Sequence, residues 1–566
     1  MKKLVECVPN FSEGRDMAVI DQITAEIKAV NGVSLLDVDP GYATNRTVVT
    51  FIGEPDEVCE AAFRAIRKAK ELIDMRHHHG AHPRIGATDV CPLVPVSGVT
   101  MEETVAYARR LAERVGQELA IPVYCYESAA FTPERKNLAV VREGEYEGLA
   151  NKLACPETRP DFGPSDFNEE TARSGATIIG ARDFLLAVNF NLNTTSTRRA
   201  NAIAFDVREK GRVKREGNPI TGKKVLDAAG NEVYIPGTLK GTKAIGWYIK
   251  EYGIAQVSMN ITDINVTPLH VAFEEVCAKA TARGVRVTGT EIVGLVPKRV
   301  LIDAGKYFLK KQHRSDGIAE SEVIKIAVKS LGLDDLAPFN ADEKVIESLI
   351  ADKRPRLVDM TCEAFAEETA SESPAPGGGS VSAYMGALGS ALGTMVANLS
   401  AHKPGWDDRW EFFAEYAEKG HAVMDELLAL VDEDTAAFNA IMEVFAMPKS
   451  TPEEKAARSA ALQKATLNAA EIPLKTMRCA FKAFEVLDAM AEHGNPNSIS
   501  DVGVGVLAVR AAMLGAMLNV KINSAGLKDR EAADRLIAEA DELASRANVN
   551  ETVLLEKIEK VIAGNK

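Results

Sequence analysis

The segment Leu4-Val5-Glu6-Cys7-Val8-Pro9-Asn10-Phe11 opens the chain with a short β-rich run that leads into an asparagine-bearing turn. A similar pattern returns at Val188-Asn189-Phe190-Asn191, within the strand-like run 185–192. Both regions continue in the order strand, helix, strand, helix, judged from hydrophobic spacing. The sequence therefore predicts two related α/β subdomains, each a small sandwich of a sheet with helices on one face.

The chain changes character near Pro338, beyond which strand-like segments almost disappear. Five long helical runs follow, at 381–399, 406–445, 452–485, 501–518 and 530–563. They predict an all-α helical bundle, in which Pro473 should kink or break the third run. The predicted domains are 1–180 and 181–330 for the two α/β subdomains, a linker over 331–355, and the all-α domain over 356–566. The irregular stretch 213–240 predicts a surface hairpin inserted into the second subdomain.

The composition is that of an ordinary soluble globular protein, with 46% hydrophobic and 26% charged residues among 566. A net charge of -14 disfavours sequence-independent binding to nucleic acid, which requires many cations. The eight cysteines form no CxxC pair, and the N-terminus does not resemble a signal peptide. We therefore expect reduced thiols and a cytoplasmic location. The uncharged segment 373–401 is long enough to span a bilayer but is rich in Gly, Ala and Ser, so no membrane span is expected.

A histidine-rich loop is the first candidate for chemistry, because His77, His78, His79 and His82 fall within six residues. Proton transfer, metal binding and a solvated loop all remain open from the residues alone, although the spacing does not fit a helical zinc pair. Downstream, Arg84 and Asp89 are expected to flank a histidine in the same loop, as an anion clamp and an orienting carboxylate. Upstream, Asp39, Asn45 and Arg46 bracket a connection between strands, where such residues usually build turns.

The all-α region contains three further candidates. Gly377-Gly378-Gly379-Ser380 leads into a helix, whose first N–H groups can hold an anion or simply provide a tight entry. Asp432 and Asp434 lie mid-helix beside apolar residues, where a carboxylate can act as an acid or base, or can simply face solvent. Asp501 precedes another helix and could cap it.

These motifs resemble those of known enzymes. The opening segment, Thr44-Asn45-Arg46-Thr47, His82-Pro83-Arg84-Ile85-Gly86 and Asp89-Val90-Cys91-Pro92 resemble glutamate formimidoyltransferases. The third block is similar to the cyclodeaminase and methenyltetrahydrofolate cyclohydrolase family through Ala375–Ser380, Val431–Asp434 and Ser500-Asp501. In this order the two halves resemble the bifunctional formimidoyltransferase-cyclodeaminases over nearly the whole chain.

The resemblance implies a folate enzyme of histidine degradation and one-carbon metabolism. It would transfer the formimino group of N-formimino-L-glutamate to tetrahydrofolate, then cyclise 5-formiminotetrahydrofolate to 5,10-methenyltetrahydrofolate with release of ammonia. His82 would be the general base of transfer, and Asp434 the proton donor of cyclisation. The remaining residues implied in substrate or folate binding are Asp39, Asn45, Arg46, Arg84, Asp89, Gly163, Pro164 and Ser165 in the first half, and Gly377, Gly378, Gly379, Ser380, Asp432 and Asp501 in the second.

Alternatives remain open. The C-terminal half could be a methenyltetrahydrofolate cyclohydrolase, the donor could be formylglutamate, and a folate-binding scaffold is the non-enzymatic alternative. The expected partners are formiminoglutamate and tetrahydrofolate, which can carry several glutamates, together with further copies of the chain in a homo-oligomer. No metal, nucleic acid or membrane is expected.

Overall fold

The structure is a computed structural model that describes residues 3–42, 44–80, 83–218, 221–351 and 355–564. The chain divides into two compact units, one of Met1–Val300 with Leu331–Ala351 and one of Leu301–Ser330 with Asp352–Lys566. The first unit contains the sheets and the second is helical. This confirms the predicted fold class, an α/β region followed by an all-α bundle. The predicted boundaries at 330 and 355 stay a prediction, and the grouping by compactness differs from them between 301 and 351.

Thirteen strands occur in the described residues. They are β1 (Leu4–Cys7), β2 (Asn10–Phe11), β3 (Val33–Gly41), β4 (Arg46–Gly53), β5 (Thr88–Ser97), β6 (Val123–Glu127), β7 (Thr177–Ala181), β8 (Leu186–Leu192), β9 (Arg212–Val213), β10 (Tyr234–Ile235), β11 (Thr242–Ile249), β12 (Ile254–Ile261) and β13 (Val287–Val293).

Eighteen α-helices occur in the same part of the chain. They are α1 (Met17–Lys28), α2 (Pro55–Leu72), α3 (Met101–Leu119), α4 (Leu138–Val141), α5 (Leu149–Ala154), α6 (Glu169–Ser174), α7 (Thr197–Val207), α8 (Leu269–Thr281), α9 (Lys298–Lys311), α10 (Glu320–Leu331), α11 (Ala341–Lys344), α12 (Ile346–Ile350), α13 (Cys362–Ala370), α14 (Gly378–Ala401), α15 (Trp410–Phe445), α16 (Pro452–His493), α17 (Ile499–Ala525) and α18 (Arg530–Ile562).

The first sheet has seven strands in the order β1-β4-β2-β5-β7-β6, with β3 paired to the outer side of β4. Strand β7 pairs in parallel with β5 and β6, and the other pairings are antiparallel. Alternate residues such as Val5, Cys7 and Phe51 are buried in one core with α1, α2 and α3. Their neighbours along the strands turn to the opposite face, which leaves Glu6 and Asp39 on the side away from these helices.

Two predicted loops of this subdomain are wrong. Asp39 lies inside β3 rather than in a turn, although Pro40 and Gly41 follow it in the same strand. Asp89 lies inside β5, which also contains Pro92. Proline cannot donate a backbone hydrogen bond, but the carbonyl of Pro92 still accepts one from the Val8 nitrogen at 3.2 Å. The strand therefore continues through residues that usually indicate a turn.

The second sheet is antiparallel in the order β11-β12-β8-β13. Phe190 of β8 contacts Phe273 of α8, with ring centroids 6.4 Å apart, so α8 covers that face. Gly246 of β11 shares this face and lies so close to α7 that its backbone nitrogen donates to Asn201 Oδ1 at 3.0 Å. Ala187, Asn260 and Val293 occupy one row across the opposite face. The predicted sheet with helices on one face is therefore confirmed here too.

The described residues of the helical unit share a hydrophobic core, contributed mainly by α14 to α18. Helices α14 and α17 run antiparallel and approach closely at Gly389, where a Cβ would lie 2.8 Å from the Gly505 carbonyl oxygen. Helix α16 begins with a capping box, in which Thr451 and Glu454 satisfy each other's backbone N–H groups, and it passes through Pro473 without ending. Of the predicted kink or break at Pro473, the break does not occur: the Ala469 carbonyl, which the proline leaves without its helical donor, accepts a hydrogen bond from Asn523 Nδ2 of α17 at 2.7 Å.

One helical stretch, Pro496–Ala525, is long and apolar enough to cross a membrane by length and composition. It contains α17, which packs against α14, α16 and α18 in the bundle. The uncharged segment 373–401 contains α14, whose small side chains are largely buried. Such close helix packing accounts for the low charge of both stretches.

Candidate functional site

A cavity of about 330 Å³ lies in the first unit, lined by both sheets. The first sheet contributes its helix-free face, and the second contributes the row of Ala187, Asn260 and Val293. Polar side chains from the first sheet and its following loops converge on it: Glu6, Asn10, Asp37, Asp39, Thr50, Arg46, Tyr126, Arg142 and Arg182. A concave site with a few convergent polar groups is the usual form of a small-molecule pocket.

Acidic and basic groups alternate around this cavity. Burial raises the pKa of Glu6 to about 7, against an opposing effect of the Arg182 guanidinium. Burial also raises the pKa of Asp37, and Lys344 opposes that shift. Glu6 is 4% exposed and faces the cavity from the centre of the sheet. Such a carboxyl group can accept and release protons near neutral pH, while the arginines can bind carboxylates.

Asp89 lies beneath the cavity wall and is fully buried. Its Oδ1 accepts a hydrogen bond from the Ile85 backbone nitrogen at 3.0 Å, and its Oδ2 accepts one from Arg142 Nη2 at 2.6 Å. Burial is the largest influence on its pKa and raises it, while Arg142 and Arg46 favour the charged form. Asp89 therefore orients Arg142, which reaches the cavity, and does not line the cavity itself.

Asn45 holds the histidine-rich loop in place. It adopts a left-handed backbone conformation with φ 49, which asparagine tolerates better than most residues. Its side chain accepts from the Gly14 nitrogen at 3.1 Å and donates to the His79 carbonyl at 3.1 Å. Its own carbonyl oxygen lies 2.8 Å from His78 Nε2. The predicted base His82 lies outside the described residues, so its placement is not part of this geometry.

Arg84 is buried at the base of the same loop. Its two terminal nitrogens bond the Glu147 carboxylate at 2.7 and 2.8 Å, and its Nε lies 3.3 Å from His78 Nδ1. The Glu147 hydrogen bond is the main cause of the raised pKa of Arg84. Because this planar fork is already bound to a carboxylate, the described geometry gives Arg84 a loop-holding contact rather than a place on the cavity wall.

The segment Gly163-Pro164-Ser165 packs near the start of β6 and does not line the cavity. Gly163 has φ +82, and a Cβ there would lie 2.9 Å from the Ile121 carbonyl carbon. The preceding Phe162 pairs with Val123 through backbone hydrogen bonds of 2.9 and 3.2 Å. These contacts explain locally why residue 163 is a glycine. The folate-binding role implied by the resemblance stays a prediction.

The helical unit brings Asp434 of α15 against the first turn of α14. The Ser380 hydroxyl donates to Asp434 Oδ2 at 3.0 Å, and Thr435 Oγ1 lies 3.1 Å from the same hydroxyl. Gly379 faces the carboxylate so closely that a Cβ would lie 2.6 Å from Oδ2 and nearer still to Oδ1. Burial raises the pKa of Asp434, and hydrogen bonds from the Ser380 side chain and backbone oppose the shift.

The neighbouring candidates have different surroundings. Gly377 is the N-cap of α14, and Gly378 faces Asn519 of α17. Asp432 turns away from Asp434: its Oδ1 accepts from the Leu357 backbone nitrogen at 2.7 Å, and its buried Oδ2 has no hydrogen-bond partner among the described residues. The two carboxylates therefore do not act on one point, as their spacing of two residues predicted.

Asp501 lies far from this turn within the chain. It is in the first turn of α17, whereas Asn519, which contacts Gly378, lies 18 residues later. At about 1.5 Å per residue, that separation is about 27 Å along the helix. One chain therefore does not bring Asp501 to Asp434, and its implied folate contact stays a prediction.

Several cavity residues were not predicted from the sequence, among them Glu6, Arg142 and Arg182. Glu6 had a detectable signal, because it is a charged residue inside an apolar strand between Val5 and Cys7. Arg142 and Arg182 had none, since they follow short helix and strand elements with no distinctive motif. Across the described ranges, no group of three or more His, Cys, Asp or Glu side chains is placed to hold a metal ion.

Comparison with known proteins matches three successive parts of the chain to three families. The formiminotransferase N-terminal subdomain family matches residues 4–182, the formiminotransferase domain family 187–351, and the formiminotransferase-cyclodeaminase family 361–542. A formimidoyltransferase-cyclodeaminase of Gallus gallus is 42% identical over 562 residues, covering 99% of both chains.

Two shorter relatives match separate halves. A glutamate formimidoyltransferase of Streptococcus pyogenes serotype M1 is 41% identical over 310 residues, which is 55% of this chain and 94% of that protein. A methenyltetrahydrofolate cyclohydrolase of Methylorubrum extorquens is 38% identical over 194 residues, which is 34% of this chain and 93% of that protein. The two halves are therefore each similar to a protein that exists alone.

Proposed function

The chain belongs to the formimidoyltransferase-cyclodeaminase family, and from that premise we propose how its two units perform two consecutive folate reactions. The first transfers the formimino group of N-formimino-L-glutamate to tetrahydrofolate and releases glutamate. The second cyclises 5-formiminotetrahydrofolate to 5,10-methenyltetrahydrofolate and releases ammonia. The observation that carries the second assignment is the half-buried Asp434 carboxyl group against the first turn of α14, with its pKa raised by burial.

Transfer requires the folate N5 to attack the formimino carbon, with one proton moving from N5 to the departing glutamate nitrogen. We assign that proton transfer to His82, on the motif that it shares with the family. The cavity supports the rest: Arg46, Arg142 and Arg182 can neutralise the two carboxylates of the donor. Glu6, with a pKa of about 7, can exchange a proton with the amine that forms. Asp39 faces the same space and can stabilise the amidinium charge.

Cyclisation requires N10 to attack the formimino carbon and the formimino nitrogen to leave as ammonia. That nitrogen carries one hydrogen, so it needs two more protons, one from N10 and one from an acid. Asp434 in its protonated form supplies the second, which leaves the methenyl product as a cation. Gly377, Gly378, Gly379 and Ser380 form the helix entry beside it and are proposed to position the folate.

Reciprocal substitution tests the two assignments in the full chain. His82→Ala should reduce transfer, followed as glutamate release, by about 10²–10⁴-fold, which is the usual contribution of a general acid or base. It should leave cyclisation of supplied 5-formiminotetrahydrofolate unchanged. Asp434→Asn should do the reverse. If both variants retain both activities, the assignments are wrong.

Cyclohydrolase activity is the second candidate for the helical unit, favoured by its similarity to the cyclohydrolase of Methylorubrum extorquens. That reaction would interconvert methenyl and 10-formyl folates with water and release no ammonia. Assays with formiminoglutamate and with formylglutamate, followed by methenyl absorbance and ammonia, separate the donors and the two cyclic reactions. Folate binding without turnover of either donor would favour a scaffold.

We further propose that the protein is a cytoplasmic homo-oligomer whose folate substrate carries several glutamates. Its eight cysteines are free thiols, as expected in a reducing compartment. Helices α14 and α17 expose several large apolar side chains that a second copy would cover: Leu388, Met395, Leu399, Val504, Leu507, Leu518 and Ile522. Cell fractionation tests the cytoplasmic location. Light scattering over a dilution series tests the homo-oligomer, which a monomer at all concentrations would exclude. Measurement of the KM for folates of different glutamate number tests the polyglutamylated substrate.

A further inference from the structure

A basic pocket of about 730 Å³ lies beside α7 in the second α/β subdomain. Its wall is dominated by guanidinium groups from α7, the hairpin that follows it and the end of α8: Arg198, Arg199, Arg208, Arg212, Arg215 and Arg283. The whole chain has a net charge of -14, so this accumulation of positive charge runs against the overall composition. Such a concentration of like charges is costly unless something compensates for it.

The fold supplies little compensation. Asp206 pairs with both Arg212 and Arg283, so one carboxylate serves two guanidinium groups. Within the described residues, no carboxylate forms an ion pair with the other four arginines. Arg208 and Arg215 donate instead to the backbone carbonyls of Gly211 and Gly222, at 2.9 and 2.8 Å. These are neutral partners, and the charge of both arginines remains.

One further feature adds to the positive potential of this pocket. The pocket includes Ser196, the N-cap of α7, so the positive end of that helix lies at its edge. The Glu232 carboxylate offsets little of this potential, because it is ion-paired with Lys224 and influences Arg215 only at longer range. The pocket therefore combines guanidinium forks, which match planar and tetrahedral oxyanions, with a helix terminus that favours negative charge.

The basic pocket is separate from the transferase cavity. Gly246 pairs with Val257, which pairs with Phe190, so all three lie on the face of the second sheet that α7 and α8 cover. Ala187 and Asn260 pair with each other on the opposite face and line the cavity. The sheet thus stands between the two sites.

We propose that this pocket binds a multiply charged small-molecule oxyanion through the four arginines that have no acidic partner. Two sources share this chemistry: a chain of carboxylates, such as γ-linked glutamates, and a polyphosphate. The first source rests on the proposed folate function, because folate is the substrate that carries such a chain. The binding site itself does not depend on it.

Isothermal titration of the full chain with tri-γ-glutamate and with tripolyphosphate tests the proposal at fixed ionic strength. The test variant is Arg198→Gln with Arg199→Gln, since both side chains are exposed and their replacement leaves the core intact. Arg286→Gln is the matched control, an exposed arginine of the same subdomain that does not line the pocket. Transfer activity with monoglutamyl tetrahydrofolate is measured in parallel.

We expect one of the two anions to bind to wild type and to the control, and to bind about tenfold more weakly or worse to the double variant. Tighter binding of tri-γ-glutamate identifies the carboxylate source, and tighter binding of tripolyphosphate the phosphate source. Transfer with the monoglutamyl substrate should be unchanged in all variants. Binding of neither anion, or equal binding to wild type and the double variant, would overturn the proposal without touching the transferase assignment.

Discussion

Gly379→Ala offers a sharp test of the cyclisation site, because it moves Asp434 without altering any ionisable group. A Cβ at residue 379 would lie 2.6 Å from Asp434 Oδ2 and closer to Oδ1. Ordinary contact needs about 3.5 Å, so the carboxylate must shift by about 1 Å. A misplacement of about 1 Å can reduce the rate of an enzymatic step by about 100-fold. Overpacking should also cost about 1–3 kcal/mol of unfolding free energy in the helical unit, partly offset by the better helix propensity of alanine.

Gly503→Ala is the matched control in the same helical unit, since its Cβ would meet Ile558 Cγ2 at an ordinary 3.6 Å. The assay supplies 5-formiminotetrahydrofolate and follows methenyl absorbance together with ammonia, while glutamate release reports transfer in the same preparation. We expect Gly379→Ala to lose cyclisation by about 100-fold and to retain transfer. We expect Gly503→Ala to retain both. A folded Gly379→Ala variant that cyclises at the wild-type rate would refute the role of this contact.

Two further predictions concern the transferase unit. Glu6→Gln should remove an inflection near pH 7 from the pH dependence of transfer. Burial raises the pKa of Glu6 from 4.5 to about 7 in the folded protein, so the wild type should lose stability as the pH rises from 4.5 to 7. Relative to the wild type, the variant should therefore be more stable at pH 8 than at pH 5 in denaturant unfolding. An unchanged pH profile and a constant stability difference would contradict both statements. Arg142→Leu should lower the unfolding free energy by about 3–5 kcal/mol because it leaves Asp89 buried without its partner, and Asp89→Asn in the same background should restore part of the loss; no recovery would show that the ion pair is not the cause.

Hydrophobic spacing predicted the architecture well, because sheets and helices bury regular faces. The strand opening at Leu4 and the helical runs after Pro338 both occur where the pattern placed them. Residues that usually form turns or break helices gave wrong predictions where pairing or packing with other elements determined the backbone instead. Asp39 and Asp89 lie in strands, and α16 continues through Pro473, because neighbouring elements satisfy or bury the affected backbone.

The sites were predicted less completely, for a different physical reason. Local motifs indicate both Asp434 and the glycine turn that ends at Ser380. Asp434 lies 54 residues beyond Ser380, so only the packing of α15 against α14 brings them into contact. Arg142 and Arg182 enter the cavity from separate loops, so no local pattern connects them with Glu6. Conversely, Arg84 and Asn45 belong to conspicuous local motifs, and their contacts hold the loop.

The two carboxyl groups proposed for proton exchange have raised pKa values for the same reason, but different partners oppose the shift. Burial opposes ionisation at both Glu6 and Asp434. At Glu6 a guanidinium, Arg182, limits the shift, so the wall remains suited to an anionic donor. At Asp434 the limiting partners are the neutral hydroxyl and backbone of Ser380, which stabilise the carboxylate without bringing a positive charge beside it. Because the cyclised folate is cationic, a site whose described residues place no cation against the acid favours formation of that product.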